Sequence, residues 1–459
     1  MKIRANFKSS ACLSLMSVLF AGASVEAFGQ SWPPAPLSEG TLYSFTGGAD
    51  GGAPQYVSLL ADSNGALYGT ATGGGAHFAG VAFKLTPPGF GKTQWTESVL
   101  YTFSGADGAV PIAGLLRDLS GALYGVTAVG GANGFGVAFK LSPPVPPSTQ
   151  WSYARIFDFA QSTGANPYGA LIWDGAGGLV GAATTGGRNG VGAIYKLTPP
   201  ASTGGQWTVS TLYNFTGGAD GGSPYSSLVA GAGGAIYGTA SAGGSGGAGV
   251  VFKLTPPGAN CTPVSPNRWC ETVLHAFGGS DGAGPYASLT LDDASGTFYG
   301  TTSSGGASNQ GAVFSLTPPV PPSTLWVETV LHSFAGGQDG AQLFSPLVLF
   351  GGALYGASRA GGGTGCGGSG CGALFKVTPP AAPSNRWAEQ VLYAFTGGAD
   401  GAAPYGGLTV STLHFGLGAA IYGVANGGGA SNAGTIFSLQ CATPAREVFG
   451  GAQHVACAH

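Results

Sequence analysis

Charge is scarce in this chain. Only 8% of its 459 residues are Asp, Glu, Lys or Arg, and 16 basic residues are spread thinly against 19 acidic ones. No basic run or patch offers a footing to a phosphate backbone, so nucleic acid is not an expected partner. No polybasic cluster flanks an apolar stretch, so anionic lipid headgroups are not addressed either. Beyond residue 27 no apolar run approaches the ~18 residues that would span a bilayer as a helix. A helical period of apolar residues is missing as well. Low charge combined with 44% hydrophobic and 11% aromatic residues is the reverse of a disordered composition. The chain therefore buries a large core. Its 87 glycines and 30 prolines serve turns and close backbone contacts rather than flexibility.

The N-terminus reads as a secretory signal peptide over residues 1–27. Lys2, Arg4 and Lys8 form a basic start, Ala11 to Ala21 an apolar stretch, and Val25-Glu26-Ala27 a small-x-small cleavage site. A short linker (28–40), a repeat region (41–440) and a tail (441–459) follow. The mature protein is expected outside the cytoplasm, in the periplasm or at the cell surface, with no membrane span and as a monomer. Of seven cysteines, Cys12 leaves with the signal. Cys261, Cys270, Cys366, Cys371, Cys441 and Cys457 remain, and six cysteines allow fifteen connectivities.

A repeat narrows that choice. Tyr-Gly recurs at Tyr68, Tyr124, Tyr237, Tyr299, Tyr355 and Tyr422, with Val180-Gly181 in the remaining slot. Seven copies at a period of roughly 56–67 residues indicate a propeller or a solenoid. Each copy has four strand-like pieces. In the first, Leu67 to Thr70 precede a glycine-rich loop. Val81, Phe83 and Leu85 then alternate with Ala82 and Lys84, the period of a strand. Pro87-Pro88 ends that strand, Trp95 to Phe103 form the third piece, and Gly114-Leu115-Leu116 shows the fourth. Segments such as Asp62 to Gly65 and Asp293 to Gly296 read as hairpin turns.

The step from Tyr-Gly to the next strand aromatic is constant, as from Tyr68 to Phe83, except at Phe375, where it is five longer. The step from that aromatic to the next Trp is likewise constant, as from Phe83 to Trp95, except for five extra between Phe252 and Trp269. Each excess carries two cysteines. Cys261 is therefore paired with Cys270 and Cys366 with Cys371, which leaves Cys441 for Cys457. Lengthening a loop from about 12 to about 17 residues costs only about 0.3 kcal/mol of closure entropy. A short unstrained disulfide contributes ~2 kcal/mol. Zinc is the rival reading for Cys366 and Cys371, but no further Cys or His stands at a finger-like spacing.

The fold expected is all-β, a seven-bladed β-propeller of four-stranded blades. Closing the ring leaves only short edges, and no capping repeat of the kind an open solenoid needs is seen. The chain starts with a third-strand piece, Leu42 to Phe45, and ends with a second-strand piece, Ile436 to Leu439. An N-terminal pair of strands is thus expected to complete the blade begun by a C-terminal pair. A parallel β-helix is the runner-up, with coils much shorter than this repeat.

Residues 65–70 (Gly-Ala-Leu-Tyr-Gly-Thr), Gly73-Gly74 and residues 80–87 (Gly-Val-Ala-Phe-Lys-Leu-Thr-Pro) resemble the GloVer tandem repeats of bacterial choice-of-anchor surface and secreted proteins. The similarity runs over residues 40 to 440. It implies an extracytoplasmic repeat protein, with no catalytic residues to carry over. Members often end in an anchoring segment, whereas residues 441–459 hold no apolar anchor. The strand order also resembles kelch repeats, which again implies a propeller.

The most regular polar feature is Asp-Gly after the Trp strand, at Asp50, Asp107, Asp220, Asp281, Asp339 and Asp400; the third unit has Asn166 in that region. Six carboxylates at equivalent places around one face would suit calcium or sugar contacts. The plainer reading is a turn stabilised by Asp and Gly. Beyond calcium at these positions no cofactor is implied, and no metal-ligating motif is read. Lys84, Lys140, Lys196, Lys253 and Lys376 follow the strand aromatic, as a binding rim or as solvated strand ends. His275 and His332 replace Tyr43, Tyr101, Tyr213 and Tyr393 in register and read as core variants. Glu97, Glu271, Glu328 and Glu389 read as strand surface. Arg117, Arg155, Asp158, Arg188 and Arg359 break the symmetry from different registers and do not converge. The glycine loops lack the following helix and Lys of a phosphate cradle. With no nucleophile, base and orienting group in one register, the expectation is a non-catalytic exported scaffold for a glycan or protein partner. The alternatives are a propeller hydrolase or lyase acting on extracellular polysaccharide, and a purely structural envelope protein.

Overall fold

The glycine of each Tyr-Gly pair is where the repeat becomes three-dimensional. It sits directly opposite the aromatic of the following strand, Gly69 against Phe83 and Gly238 against Phe252. A Cβ on Gly238 would lie 2.7 Å from Phe252 Cζ and 2.9 Å from Leu228 Cδ2. No side chain fits between ring and leucine, so glycine is required for packing. The same sandwich recurs at Gly125, Gly181, Gly300, Gly356 and Gly423.

The computed structural model describes residues 37–441, apart from 203–204, 259–260, 263–267, 381–383, 385 and 413–418. The expected signal peptide, most of the linker and the tail beyond Cys441 lie outside the described residues, and with them Cys457 and its expected pairing to Cys441. Residues 37–40, expected as linker, belong to a strand.

Seven antiparallel sheets form the blades of a seven-bladed β-propeller. Blade 1 runs outward through Leu60–Ala61, Leu67–Ala71, Val81–Thr86 and Thr96–Thr102. Blades 2 to 6 repeat this order and end in the outer strands Ser152–Asp158, Thr208–Asn214, Cys270–Ala276, Val327–Ser333 and Ala388–Ala394. Blade 7 takes Thr409–Thr412, Ala419–Ala425 and Thr435–Cys441 from one end of the chain, and its outer strand, Leu37–Ser44, from the other. The ring is closed by the two ends as expected, but in a three-to-one division rather than two-to-two. The reason is the hairpin at Asp62. Its carboxylate accepts the amides of Asn64 and Ala66 at 2.9 Å, and Gly65 takes a φ of +79°. The leucine piece beside it therefore pairs with the next Tyr-Gly strand rather than with the preceding Trp strand.

Consecutive blades are joined by aromatic rings. The phenylalanine ending each outer strand meets the third-strand aromatic of the next blade edge to face. Phe45–Phe83, Phe103–Phe139, Phe159–Tyr195, Phe215–Phe252, Phe277–Phe314, Phe334–Phe375 and Phe395–Phe437 all have centroids 4.8–5.3 Å apart. These rings are almost wholly buried. Within its own blade each of these phenylalanines donates its amide to a glycine carbonyl, as in Phe45 N to Gly434 O and Phe103 N to Gly80 O, both 3.0 Å. Cys261–Cys270 and Cys366–Cys371 are disulfide-bonded, as the equal insertions indicate.

Two outcomes follow from this packing. Gly238→Ala is expected to lower stability by about 1–3 kcal/mol through overpacking. Gly89→Ala, where a Cβ meets nothing within 4 Å, should be near neutral; paired denaturant titrations read the difference. In blade 3, Tyr195 replaces phenylalanine and its buried hydroxyl has no hydrogen-bond partner. Tyr195→Phe should raise stability by about 1–3 kcal/mol. A midpoint equal to or below that of the unmodified protein would refute it.

Candidate functional site

The segment joining one blade's outer strand to the next blade's inner strand carries both the Asp-Gly turn and the approach to the propeller axis. Each Asp carboxylate is held by its own blade. Asp50 accepts Tyr43 Oη at 2.9 Å and the Thr46 amide at 2.8 Å. Asp220 and Asp400 repeat this with Tyr213 and Tyr393. Asp107 takes Tyr101 Oη and the Ser104 amide. Asp281 takes the Gly278 amide and lies 2.8 Å from His275 Nε2. Asp339 accepts the Ala335 amide, with His332 Nε2 3.4 Å away. The structure thus places the six aspartates one to a connector and engages each in its turn; it does not gather them. The third unit substitutes Thr163 for Asp, and Asn166 bonds Ala128 O.

The lysines lie over the Tyr-Gly tyrosines opposite them. Lys84, Lys140, Lys253 and Lys376 stand 5.2–5.7 Å from the ring centroids of Tyr68, Tyr124, Tyr237 and Tyr355. Blade 3 has Val180 in that place, and Lys196 pairs with Asp174 at 2.6 Å instead. The symmetry-breaking arginines are dispersed. Arg117 covers Tyr68, Arg155 reaches Asp158 and Ala106 O, and Arg359 bonds Gln342 and stacks on Tyr405. Only the backbone amide of Arg188 has a described bond, to Asn214.

Past the turn each connector passes a left-handed residue. Ala53, Val110, Asn166, Ser223, Gln342 and Ala403 have φ of +50° to +57°, and Gly284 holds the seventh place at +61°. Left-handed backbone costs a non-glycine residue about 1–2 kcal/mol. It is offset here by a bond to the preceding blade, such as Ala53 N to Ala433 O at 2.7 Å and Ala403 N to Cys371 O at 2.8 Å. This bend delivers the side chain two residues on (three in blade 1) to the axis. Those side chains are Tyr56, Tyr168, Tyr225, Tyr286, Phe344 and Tyr405, with Ile112 in blade 2.

The six aromatics form an arc around the mouth of the central channel. Tyr168–Tyr225 and Tyr225–Tyr286 centroids are 5.0 Å apart, Tyr286–Phe344 5.3 Å, Phe344–Tyr405 5.5 Å and Tyr405–Tyr56 5.4 Å. All six are half-buried. The six rings line a cavity of about 60 Å³ together with Ser58, Ser226, Ser227 and Ser288. Burial and the neighbouring phenols push the Tyr56 hydroxyl far above its ordinary range, so the mouth presents neutral phenols as donors. Small-molecule pockets usually exceed ~300 Å³. A ligand here would lie across the rings rather than inside the channel. Sequence reasoning passed over this arc because the connector length varies. Counting three back from the buried leucines Leu59, Leu171, Leu228, Leu289, Leu347 and Leu408 would have found every member.

A second pattern lies in the seams between outer strands. Glu97, Glu271, Glu328 and Glu389, expected as strand surface, are instead half-buried, each with Oε1 shielded and unpartnered. Burial and then the preceding blade's aspartate raise Glu97 to about 7 (Asp50), Glu271 to about 8 (Asp220) and Glu389 to about 7 (Asp339). Where the aspartate is missing, after blade 2, the glutamate position holds Val209. The native state thus keeps protons that the unfolded chain releases near 4.5. Stability from these groups is complete below that pH and is lost as pH rises towards 8. The depressed carboxyls of Asp107 and Asp400 act only below the ordinary aspartate range, so the windows do not overlap. The melting temperature is expected to fall between pH 5 and pH 8. The triple variant Glu97→Gln, Glu271→Gln, Glu389→Gln should flatten that slope, and an unchanged slope would contradict the assignment.

The family described as Gloeobacter/Verrucomicrobia repeat matches residues 34–208, 201–370 and 272–450. No curated protein matches the chain. Among solved structures, it is similar to the extracellular domain of a one-component system from B. thetaiotaomicron (13% identity, TM-score 0.47), with 85% of this chain covered and 40% of that one. It is also similar to the polysaccharide lyase Uly1 (10% identity, TM-score 0.41, covering 85% and 90%). A third is an oxidoreductase (glucose dehydrogenase) from Thermus thermophilus (15% identity, TM-score 0.36, covering 88% and 99%). At these scores the likenesses carry no activity over to this chain, which spans less than half the length of the first.

Proposed function

The chain belongs to the Gloeobacter/Verrucomicrobia repeat family, and we propose that it acts as a non-catalytic binding scaffold outside the cytoplasm, holding a glycan across the aromatic mouth of its channel. The observation that carries this reading is the arc of Tyr56, Tyr168, Tyr225, Tyr286, Phe344 and Tyr405, each ring set edge-on or tilted against the next around the axis. Aromatic faces receive the apolar faces of sugar rings, while phenols and serine hydroxyls bond the sugar hydroxyls. Tyrosine supplies such area at low entropic cost because it has two rotatable side-chain bonds. The lining supplies hydroxyls and ring faces rather than paired carboxylates, which supports binding over hydrolysis.

Export is supported by the signal-peptide pattern of residues 1–27 and by the disulfides Cys261–Cys270 and Cys366–Cys371, which persist in oxidising compartments. Among the described residues no helix is long and apolar enough to cross a membrane.

The test is a glycan array followed by affinity measurement on the best ligand. Tyr225→Ala and Tyr286→Ala are each expected to weaken binding by up to about tenfold, the worth of an aromatic contact beyond its area. Arg117→Ala, at a residue that does not line the mouth, should leave it intact. Binding that survives both tyrosine replacements would place the ligand elsewhere.

A further inference from the structure

Blades 4 and 5 differ from their sisters in one side chain that alters what the outer seam can hold. The outer strand carries tyrosine in blades 1, 3, 6 and 7 (Tyr101, Tyr213, Tyr393 and Tyr43) but histidine in blades 4 and 5 (His275 and His332). A neutral phenol only donates to the aspartate beside it. An imidazole nitrogen offers a lone pair to a metal.

At the junction of blades 4 and 5 three such donors meet. One ligand atom each from His275, Asp281 and Glu328 lies within 4.8 Å of the other two. His275 and Asp281 come from the blade 4 outer strand and the connector after it, and Glu328 from the outer strand of blade 5. Glu328 Oε1 is shielded from solvent and receives no hydrogen bond, although a buried carboxylate oxygen ordinarily has a partner. Glu97, Glu271 and Glu389 share such an unpartnered oxygen, but among the described residues only the Glu328 seam brings a histidine and a second carboxylate within 4.8 Å of its glutamate. A divalent cation would displace the proton held between His275 Nε2 and Asp281 Oδ2, 2.8 Å apart, and neutralise both carboxylates while the freed nitrogen lone pair bound it.

We propose that His275, Asp281 and Glu328 form a divalent transition-metal site, with Zn²⁺ as the matching ion, that ties blade 4 to blade 5. One nitrogen and two carboxylates suit zinc, whereas calcium and magnesium take oxygen-only sets. Three protein ligands leave a fourth position for water. The neighbouring junction keeps His332 3.4 Å from Asp339, and Glu389 does not complete a group of three there. Among the described residues one such site is therefore expected.

The experiment titrates the metal-stripped mature protein with ZnCl₂ by calorimetry and, independently, with CoCl₂ by visible absorption. One saturable site and a rise in melting temperature with Zn²⁺ are expected. His275→Tyr reproduces the side chain that sister blades carry, so it should fold. It and Glu328→Gln are each expected to weaken Zn²⁺ affinity by more than about tenfold and to abolish the Co²⁺ band, whereas His332→Tyr retains both. Unchanged affinity in either ligand variant, or no saturable Zn²⁺ binding by the unmodified chain, overturns the site.

Discussion

The propeller depends on one contact made seven times, an outer-strand phenylalanine set edge-on against the third-strand aromatic of the next blade. The contact requires that the ring lie flat over its own sheet, and this is why a glycine must stand opposite it. Ring and glycine are therefore one device. Aromatic pairs add about 0.5–1.5 kcal/mol each beyond the area they bury, so seven of them bias the chain strongly towards a closed ring. In an open arrangement one of the seven pairs would be left unmade.

The connectors do two jobs with the same bend. The left-handed residue ties each connector to the preceding blade through a backbone bond, and in doing so it turns the side chain two or three residues on inward. Winding the ring and furnishing the channel mouth are thus a single conformational choice, repeated at each junction. Six junctions present an aromatic and one presents Ile112, so the arc is open on the blade 2 side. The proposed glycan would therefore have a preferred direction across the mouth.

Much of the fold was legible in the sequence because its cause is local in register. The fixed intervals from Tyr-Gly to the strand aromatic, on to Trp and on to Phe count positions along paired strands, where an insertion would flip every side chain to the other face. The two departures marked the disulfides for the same reason. What escaped was set by loops and neighbouring blades. The three-to-one closure follows from the turn at Asp62, whose side chain selects one pairing for the leucine strand. The aromatic arc hid behind connectors of unequal length. The glutamates read as surface because their environment belongs to the adjacent blade, a relation no spacing within one unit can express.

The repeat itself contains evidence on that relation. Glu97, Glu271, Glu328 and Glu389 each follow a unit with an aspartate turn, and Val209 follows the unit that lacks one. Where Tyr153 stands in place of glutamate, its hydroxyl bonds the backbone of Asp107 at 2.7 Å. A carboxyl facing another carboxyl in a half-buried seam is unfavourable when both are charged. The raised carboxyls of Glu97, Glu271 and Glu389 relieve that repulsion by holding a proton. At the junction of blades 4 and 5 an imidazole stands beside the same two carboxyls, with His275 Nε2 2.8 Å from Asp281, and that is the place the proposed cation would take.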